Sequence, residues 1–537
     1  MISENMKNIV VGPELERTID ASLGEIILLL LKAHMDKVVQ VDGETDEELR
    51  ADVVLKRTIK LAKWLKNEGI GVGDNISINS ENRLEFCIIP LATLVAGATF
   101  APLNPDYAPL ELKHVLSLSK PKMIFCSERT IDKMVGILPD HPYIKRLIVF
   151  GKERPKNNGA ELEEVDEDFE ATPLDVKETV ATILCSSGDH GYAKGCHVHP
   201  RQHDCMHGCQ QVRVAANELV EDVDPNDSVL GLVPFFHSFG FMLLFLNMLM
   251  GKKVVVITRF RPKPFLEAMK KHRVARLIVP PPVLLFLLKH PSVKDYDMSF
   301  IKEMRSGAAA LGKDMERELK DRFKVRSVSQ AYGMTETTFG IMLTPYQKGK
   351  VGSSGKLIPG MMAKVIDESG KALGPYEEGE VCLKGPMIMK GYVGDPGSTK
   401  AMIDKDGWLH TGDVGYYDSD EYFFIVDRIK ELIKYKAFQV APAELEALLL
   451  THPAVQDAAV IGLPNEDAGE LPLGFIVKKL GKEVTEREIE KFVADKVSPQ
   501  KRLRGGVVFL EEIPRNPTGK ILRRVLKERA IKITSKL

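Results

Sequence analysis

The segment of this sequence best suited to chemistry is a glycine-rich turn with one lysine. It reads Ser-Ser-Gly-Asp-His-Gly-Tyr-Ala-Lys-Gly over residues 186–195 and follows an apolar strand predicted at 179–184. Backbone N–H groups of such a turn can approach phosphate oxygens, and the lysine adds a positive charge. The spacing is not that of a Walker loop, so an ordinary surface turn remains the alternative interpretation.

Three further polar segments contain groups that suit a nucleotide and its metal ion. Residues 332–337 (Tyr-Gly-Met-Thr-Glu-Thr) place hydroxyls beside a carboxylate, a donor set that fits a hard cation such as Mg²⁺. Residues 410–413 (His-Thr-Gly-Asp) place a carboxylate in a tight turn, where it can accept hydrogen bonds from ribose hydroxyls. Residues 517–520 (Pro-Thr-Gly-Lys) present a lysine on a glycine turn. Each segment taken alone also fits a solvated polar loop.

Alternating strands and helices must position these segments. Apolar runs predict buried strands at 75–78, 123–126, 147–150 and 253–257. Helical patterns separate such strands, as at 48–67 and 264–271. The alternation favours an α/β fold with largely parallel sheets.

The pattern changes twice towards the C-terminus. From 360 to 393 the strands are closely spaced with Gly and Pro turns, which indicates a small β-barrel or meander. Beyond residue 430, helices and strands of a compact α+β domain are predicted. Its helices are expected at 444–451, 485–497 and 521–527, and its strands at 458–461 and 506–510. We place a hinge at residues 427–430 (Asp-Arg-Ile-Lys).

Bulk properties exclude several classes of protein. The 537 residues include 74 Lys and Arg against 75 Asp and Glu, so no overall charge calls for nucleic acid or an anionic membrane. Seven sparse cysteines fit a reduced, intracellular protein. The longest apolar stretch, 239–250, is too short to span a membrane and predicts a buried helix. The final tripeptide Ser535-Lys536-Leu537 matches a peroxisomal address, which predicts the peroxisomal import receptor as a partner and the peroxisome as the location; the alternative is a chance tripeptide on a basic tail.

Taken in order, the motifs resemble those of the adenylate-forming superfamily, which includes acyl-CoA synthetases, 4-coumarate–CoA ligases and beetle luciferases. The resemblance covers nearly the whole chain and is nearest to insect luciferase-like peroxisomal acyl-CoA ligases. Besides the four segments above, it rests on residues 101–105 (Ala-Pro-Leu-Asn-Pro), 234–240 (Pro-Phe-Phe-His-Ser-Phe-Gly), 427–430, 434–436 (Lys-Tyr-Lys) and 442–446 (Pro-Ala-Glu-Leu-Glu).

The resemblance implies a fold and a domain arrangement. A large α/β N-terminal domain, residues 1–428, would comprise two α/β subdomains plus a β-barrel at about 360–428. A small mobile α+β domain, residues 429–537, would carry Lys434 and Lys520 and would rotate about Lys430.

The resemblance also implies an activity. A carboxylic acid, fatty or aromatic, would attack ATP in the presence of Mg²⁺ to give acyl-AMP, and CoA would then take the acyl group. A carboxylic acid is already ionised at neutral pH, so alignment and cations must provide the catalysis.

Individual roles follow from the matched positions. The catalytic residues would be Lys520, Lys434, Thr335 and His237, and Glu336 would hold the metal. The nucleotide would be bound by Ser187, Gly188, Gly191, Lys194, Gly195, Gln330, Tyr332, Asp413 and Arg428. The acyl pocket would be lined by His237, Phe239, Gly307, Ala308, Gly333, Met334 and Phe339.

Several positions depart from the family pattern. Asp189 and His190 replace two small hydroxyl residues of the phosphate loop, and Ala193 replaces a proline. An aspartate about 4 Å from a phosphate charge costs roughly 1 kcal/mol in water and about 4 at an effective dielectric of 20. Ala437 replaces a glycine beside the expected CoA channel, and Ala310 replaces a proline.

Two alternatives to the ligase therefore stay open. One is a luciferase-type monooxygenase that uses O₂, although Phe236 and Phe339 stand where beetle luciferases have His and a small serine. The other is a catalytically weak paralogue that binds an acyl ligand and has a degenerate phosphate loop. The His and Cys residues between 197 and 209 match no standard zinc spacing, so we interpret them as core and surface residues rather than a metal site.

Overall fold

A computed structural model describes residues 8–14, 21–150, 169–174, 179–186, 194–198, 227–345, 348–436 and 438–534. The predicted phosphate-loop residues Ser187, Gly188 and Gly191, with Asp189, His190 and Ala193, lie outside these ranges. So do Ala437, the terminal Ser535–Leu537 tripeptide and the His and Cys residues from 199 to 209.

A nine-stranded sheet forms the centre of the large domain. Its order across the sheet is Lys356–Leu357, Gly340–Leu343, Ser327–Gly333, Glu303–Ser306, Val274–Val279, Ser228–Gly231, Val254–Val256, Val38–Asp42 and Glu48–Arg50. The six strands from Ser327–Gly333 to Val38–Asp42 are parallel, as predicted. Antiparallel strands close both edges.

A seven-stranded sheet forms the second α/β unit. Its order is Gly391–Tyr392, Lys194–Val198, Thr182–Ser186, Thr99–Phe100, Asn75–Asn79, Met123–Cys126 and Arg146–Val149. The last five strands are parallel. Ser186 pairs with Lys194 across an antiparallel ladder, so the two ends of the glycine-rich segment lie side by side.

The region predicted as a barrel forms an antiparallel sheet of five strands. Their order is Ile9–Val11, Met362–Ile366, Gly379–Lys384, Leu409–Tyr417 and Phe423–Arg428. The first strand comes from the opposite end of the chain and was not predicted. The predicted boundary at residue 428 falls at the end of the last strand.

The small domain is α+β. Its sheet contains Phe438–Val440, Ile433–Tyr435, Gly469–Lys478, Val455–Asn465 and Val507–Phe509, and only the last strand pairs in parallel. Its helices are Pro442–Leu450, Glu486–Ala494 and Arg523–Thr534.

The described helices of the large domain cover the sheets. They are Leu23–Ala33, Ala51–Asn67, Ile88–Val95, Pro109–Ser119, Ile131–Ile137, Ser238–Leu249, Pro262–Lys271, Pro281–Lys289, Lys313–Phe323 and Pro396–Met402. Ser22 caps the first in a reciprocal arrangement with Glu25, which satisfies two otherwise unpaired N–H groups. The helix predicted at 48–67 begins only at Ala51, because residues 48–50 pair as an edge strand with Val38–Asp42.

The helix Ser238–Leu249 is apolar on nearly every side because it is buried, as predicted. It packs on the central sheet and on the helix Leu23–Ala33. Among the residues that the structure describes, no helix has both the length and the apolar character needed to cross a membrane.

Candidate active site

A cavity of about 1190 Å³ opens between the large and small domains. Its walls include residues just beyond the carboxyl ends of the parallel strands Glu303–Ser306 and Ser327–Gly333, the start of the helix Ser238–Leu249, and the turn that carries Lys520. Open α/β sheets bind ligands at the carboxyl ends of their strands. The structure therefore gathers predicted residues from both domains around one space.

The carboxylate of Asp413 is buried beside this cavity and is held from two sides. Tyr332 Oη donates a hydrogen bond of 2.6 Å to Oδ2, and Arg428 Nε lies 3.1 Å from Oδ1. Asp413 and Arg428 are opposite residues on neighbouring strands, so their pairing follows from the register. Burial, and next the Asp413 charge, raise the pKa of Tyr332, which keeps its phenol protonated. The fixed carboxylate can accept hydrogen bonds from a vicinal diol such as ribose.

Asp413 lies within the strand Leu409–Tyr417 and not in the predicted tight turn, and the strand segment before it is fixed by Glu380, which the sequence reasoning missed. Gly412 has a left-handed φ of 67°, and its N–H donates to Glu380 Oε1 at 3.0 Å. His410 Nδ1 lies 3.0 Å from the other oxygen of Glu380, and Asp404 lies on the far side of the ring. Glu380, His410 and Cys382 have donor atoms within 4.8 Å of one another. The hydrogen bonds of Glu380 to His410 and Gly412 account for this cluster without a metal ion.

The predicted metal ligand Glu336 lies in the short 3₁₀ turn Thr335–Thr337, and both Glu336 and Thr335 line the cavity. Glu336 is 6 % exposed, and Tyr392 Oη donates to its Oε1 at 2.8 Å. Tyr392 is 56 residues away in sequence and was not predicted. Carboxylate and hydroxyl oxygens form a donor set that fits Mg²⁺.

The seven residues predicted for the acyl pocket all line this cavity. The backbone N–H of Phe239 donates to His237 Nδ1 at 3.3 Å, so His237 caps the helix that follows. Burial, and next the charge of Lys520, lower the pKa of His237 to about 4, so its ring is neutral at physiological pH. A Cβ at Gly307 would lie 3.2 Å from the Phe239 ring, which shows how closely the two walls approach.

Lys520 reaches the cavity from the small domain, and Lys434 does not. Lys520 follows Gly519, which has a φ of 84°, in a turn organised by the side chain of Asn516. Burial, and next the charge of Arg428, lower the pKa of Lys520, whereas Glu431 opposes this effect. Lys434 is exposed on the strand Ile433–Tyr435 and is not among the described residues that line the cavity.

At the predicted hinge, Asp427 of the large domain contacts the small domain, beside ion pairs that lie within the small domain. Arg523 Nε lies 3.0 Å from Glu431 Oε2, and its Nη1 lies 2.5 Å from Glu446 Oε1. Asp427 accepts hydrogen bonds from the N–H groups of Arg428 (2.8 Å) and Ala443 (3.0 Å). Burial raises the pKa of Asp427 to about 6, although Arg523 opposes the shift. Lys430, the predicted hinge residue, lies in this segment and lines the cavity.

Gln330, another predicted nucleotide ligand, does not line the cavity and contacts residues away from it. Its Oε1 accepts from Leu311 N at 2.8 Å, and its Nε2 lies 3.3 Å from Glu316. Adjacent residues of a strand point to opposite faces, and Gln330 faces away from its cavity-lining neighbour Ala331. Lys194 and Gly195 begin the strand Lys194–Val198, and the side chain of Lys194 lies outside the described part of the structure.

Comparison with known proteins gives the family. The model of the AMP-binding enzyme family matches residues 31–393, and that of the AMP-binding enzyme C-terminal domain matches 444–520. Luciferin 4-monooxygenase of Nipponoluciola cruciata is 39% identical, with 98% of both chains covered. The probable 4-coumarate–CoA ligase 3 of Dictyostelium discoideum is 38% identical, with 94% of both covered.

A solved structure extends the comparison to three dimensions. ATP-bound MatB from Rhodopseudomonas palustris superposes with a TM-score of 0.82 at 26% identity, over 95% of this chain and 99% of that one. The family match spans more than half of the chain, and the cavity joins both matched regions. The chain therefore belongs to the adenylate-forming, AMP-binding enzyme family.

Proposed function

We propose that this protein activates a fatty or aromatic carboxylic acid with ATP and then transfers the acyl group to CoA. One observation carries the proposal: Lys520, Glu336 and Arg428, which binds the buried Asp413 carboxylate, line one cavity with the seven predicted acyl-pocket residues. This arrangement allows a nucleotide and an acid to be held within reach of one another.

The first step needs no general base. A carboxylate oxygen of the acid forms a bond to the α-phosphorus, and the bond from that phosphorus to the pyrophosphate oxygen breaks. Asp413 would fix the ribose, and the Lys520 ammonium would neutralise charge that develops on the α-phosphate and acyl oxygens. Mg²⁺, held by Glu336 with Thr335 nearby, would supply positive charge to the phosphates. The neutral His237 ring would line the acyl side without taking a proton.

The second step would use the other face of the small domain. Rotation about Lys430 would withdraw Lys520 and bring the exposed Lys434 towards the cavity. The CoA sulfur would then attack the acyl carbonyl, and AMP would leave. The exposure of Lys434 outside the cavity supports such a division of labour between the two lysines.

A luciferase-type reaction with O₂ is the second candidate, favoured by the similarity to luciferin 4-monooxygenases. Phe236 and Phe339 both line the cavity and would narrow it for a rigid bicyclic acid. We therefore place the ligase first.

One assay separates the candidates. The pure protein would be incubated with MgATP and fatty, coumaric or luciferin-like acids, and pyrophosphate, thioester and light would be recorded. We expect pyrophosphate release, followed by thioester when CoA is added. Light with a luciferin-like acid would support the monooxygenase, and no pyrophosphate with any acid would support the non-catalytic paralogue.

The altered phosphate loop provides a further test. If Asp189 and His190 handicap the loop, Asp189→Thr combined with His190→Thr should raise the rate of pyrophosphate release. An unchanged or lower rate would show that these residues do not limit adenylation.

We also propose that the terminal Ser535-Lys536-Leu537 tripeptide directs the protein to peroxisomes. A fluorescent protein fused to the N-terminus should accumulate in peroxisomes, and deletion of the tripeptide should disperse it. Dispersed fluorescence from the intact fusion would refute the address.

A further inference from the structure

A guanidinium group lies in the floor of the cavity and has no role in the proposed chemistry. Arg305 is on the strand Glu303–Ser306, lines the cavity, and its side chain is 19 % exposed. Buried charges are costly unless they are paired. The partners of Arg305 therefore indicate whether its charge is already satisfied within the protein.

Among the residues that the structure describes, the pairing around Arg305 leaves one positive charge in excess. Arg305 Nη2 lies 3.1 Å from Glu303 Oε1, and its Nε donates to Ser329 Oγ at 3.3 Å. The same carboxylate is already bound by Arg276, whose Nε and Nη2 both lie 2.8 Å from Oε2. Two guanidinium groups thus share one carboxylate, and of the two only Arg305 faces the cavity.

The sheet register shows where the Arg305 charge lies relative to the carboxylate of the acid that would react with ATP. Arg305 is opposite Ile278 and Ser329, and Ile278 also lines the cavity. Gly307 lies two residues further along, an axial distance of about 7 Å at the usual rise of a strand. Gly307, Phe239 and Lys520 all line the cavity, so an acid that is activated beside Lys520 and extends past Gly307 towards the sheet approaches Arg305 with its far end.

We propose that the preferred substrate is a dicarboxylic acid whose second carboxylate pairs with Arg305. The proposal rests on the proposed function, because it names the acid that the same cavity would activate. Arginine presents a planar fork of donors that matches a carboxylate, and polar groups placed singly in a pocket fix ligand orientation and specificity. An apolar far end would instead leave the guanidinium desolvated and without its additional partner.

The test compares acids of matched length. Pyrophosphate release would be measured with α,ω-dicarboxylic acids, ω-hydroxy acids and plain monocarboxylic acids over a series of chain lengths. A hydrogen bond between charged groups predicts a preference of about 10- to 100-fold in kcat/KM for the dicarboxylic acid at the best length. The ω-hydroxy acid, which offers a neutral acceptor, should fall between the other two.

Variants separate recognition from a structural role. Arg305→Leu leaves a one-to-one Arg276–Glu303 pair, so it should fold, and its preference for dicarboxylic acids should disappear while monocarboxylic acids are still activated. Arg276→Lys is the matched control, because it alters the same ion-pair cluster outside the cavity and should keep the preference. An equal loss for all acids in Arg305→Leu would overturn the proposal, as would a wild-type protein without the preference.

A binding measurement keeps the two proposals distinguishable. Thermal stabilisation by each acid would be recorded without ATP, so that turnover is not required. Stabilisation by the dicarboxylic acid that Arg305→Leu abolishes would support the inference even if no acid released pyrophosphate. Activation of monocarboxylic acids without any preference or selective stabilisation would overturn the inference and leave the proposed function intact.

Discussion

Asp427 at the hinge should make the stability of the protein depend on pH in an unusual direction. Burial raises its pKa from the ordinary value of 3.8 to about 6. At about 1.4 kcal/mol per pH unit, the ionised group costs the folded state at most about 3 kcal/mol at neutral pH. Because the folded-state pKa is the higher one, stability is fully present below pH 3.8 and is lost as the pH rises through about 6.

The neutral substitution Asp427→Asn should remove this cost. We expect the variant to melt at a higher temperature than the wild type at pH 7.5, and the difference should shrink towards pH 4, where the wild-type carboxyl is protonated in the folded state. Scanning calorimetry at several pH values would resolve the transitions of the two domains. A difference that does not change with pH, or a destabilised variant at neutral pH, would refute the reasoning.

Asp418 provides a matched control, because its pKa is lowered whereas that of Asp427 is raised. Burial alone would raise its pKa, but hydrogen bonds from Lys350 and from the backbone N–H of Tyr422 lower it instead. Asp418→Asn should therefore destabilise the protein at neutral pH, and the loss should diminish as the pH falls. The same substitution at a half-buried aspartate, Asp427, and at a buried one, Asp418, would thus shift stability in opposite directions.

Three further predictions concern the cavity. Lys520→Ala should slow pyrophosphate release by about 10²- to 10³-fold and leave thioester formation from supplied acyl-AMP unchanged. Lys434→Ala should slow thioester formation and leave pyrophosphate release unchanged, and single-turnover assays of the two steps would measure both effects. Asp413→Asn should raise the KM for ATP about 10- to 100-fold, because the ribose loses a charged acceptor; an unchanged KM would contradict this role. Glu380→Gln should raise the KM for ATP with little effect on kcat, since Glu380 positions the strand segment before Asp413; a loss in kcat alone would contradict it.

Local patterns predicted the elements that carry the site. The strand at 123–126 and the buried helix near 239–250 follow from short-range periodicity and were found within one residue of their predicted ends. The family motifs predicted Lys520 and Glu336 at the cavity, where both lie in tight turns, and Asp413 beside it, on a strand opposite the cavity-lining Arg428. The local backbone conformation of each motif sets the position of its functional side chain.

Contacts between distant segments could not be predicted in the same way. Tyr392 binds Glu336 and Glu380 fixes Gly412 only because separate strands meet, and neither pairing has a local signal. Gln330 follows a motif but faces Leu311, since the side chains of a strand alternate between its two faces. The same alternation, applied to residues 303 and 305, would have indicated that Glu303 and Arg305 share a face.

The side chain of Asn516 determines when the turn that carries Lys520 becomes ordered. Its carboxamide oxygen accepts from the N–H groups of Thr518 and Lys520 and from the Thr518 hydroxyl, at 2.8 to 3.0 Å. These bonds lie entirely within the small domain, so the backbone of the lysine loses its conformational entropy when that domain folds. A nucleotide that enters the cleft then meets a backbone that is already immobile, and only the four methylene groups of the side chain remain to be ordered.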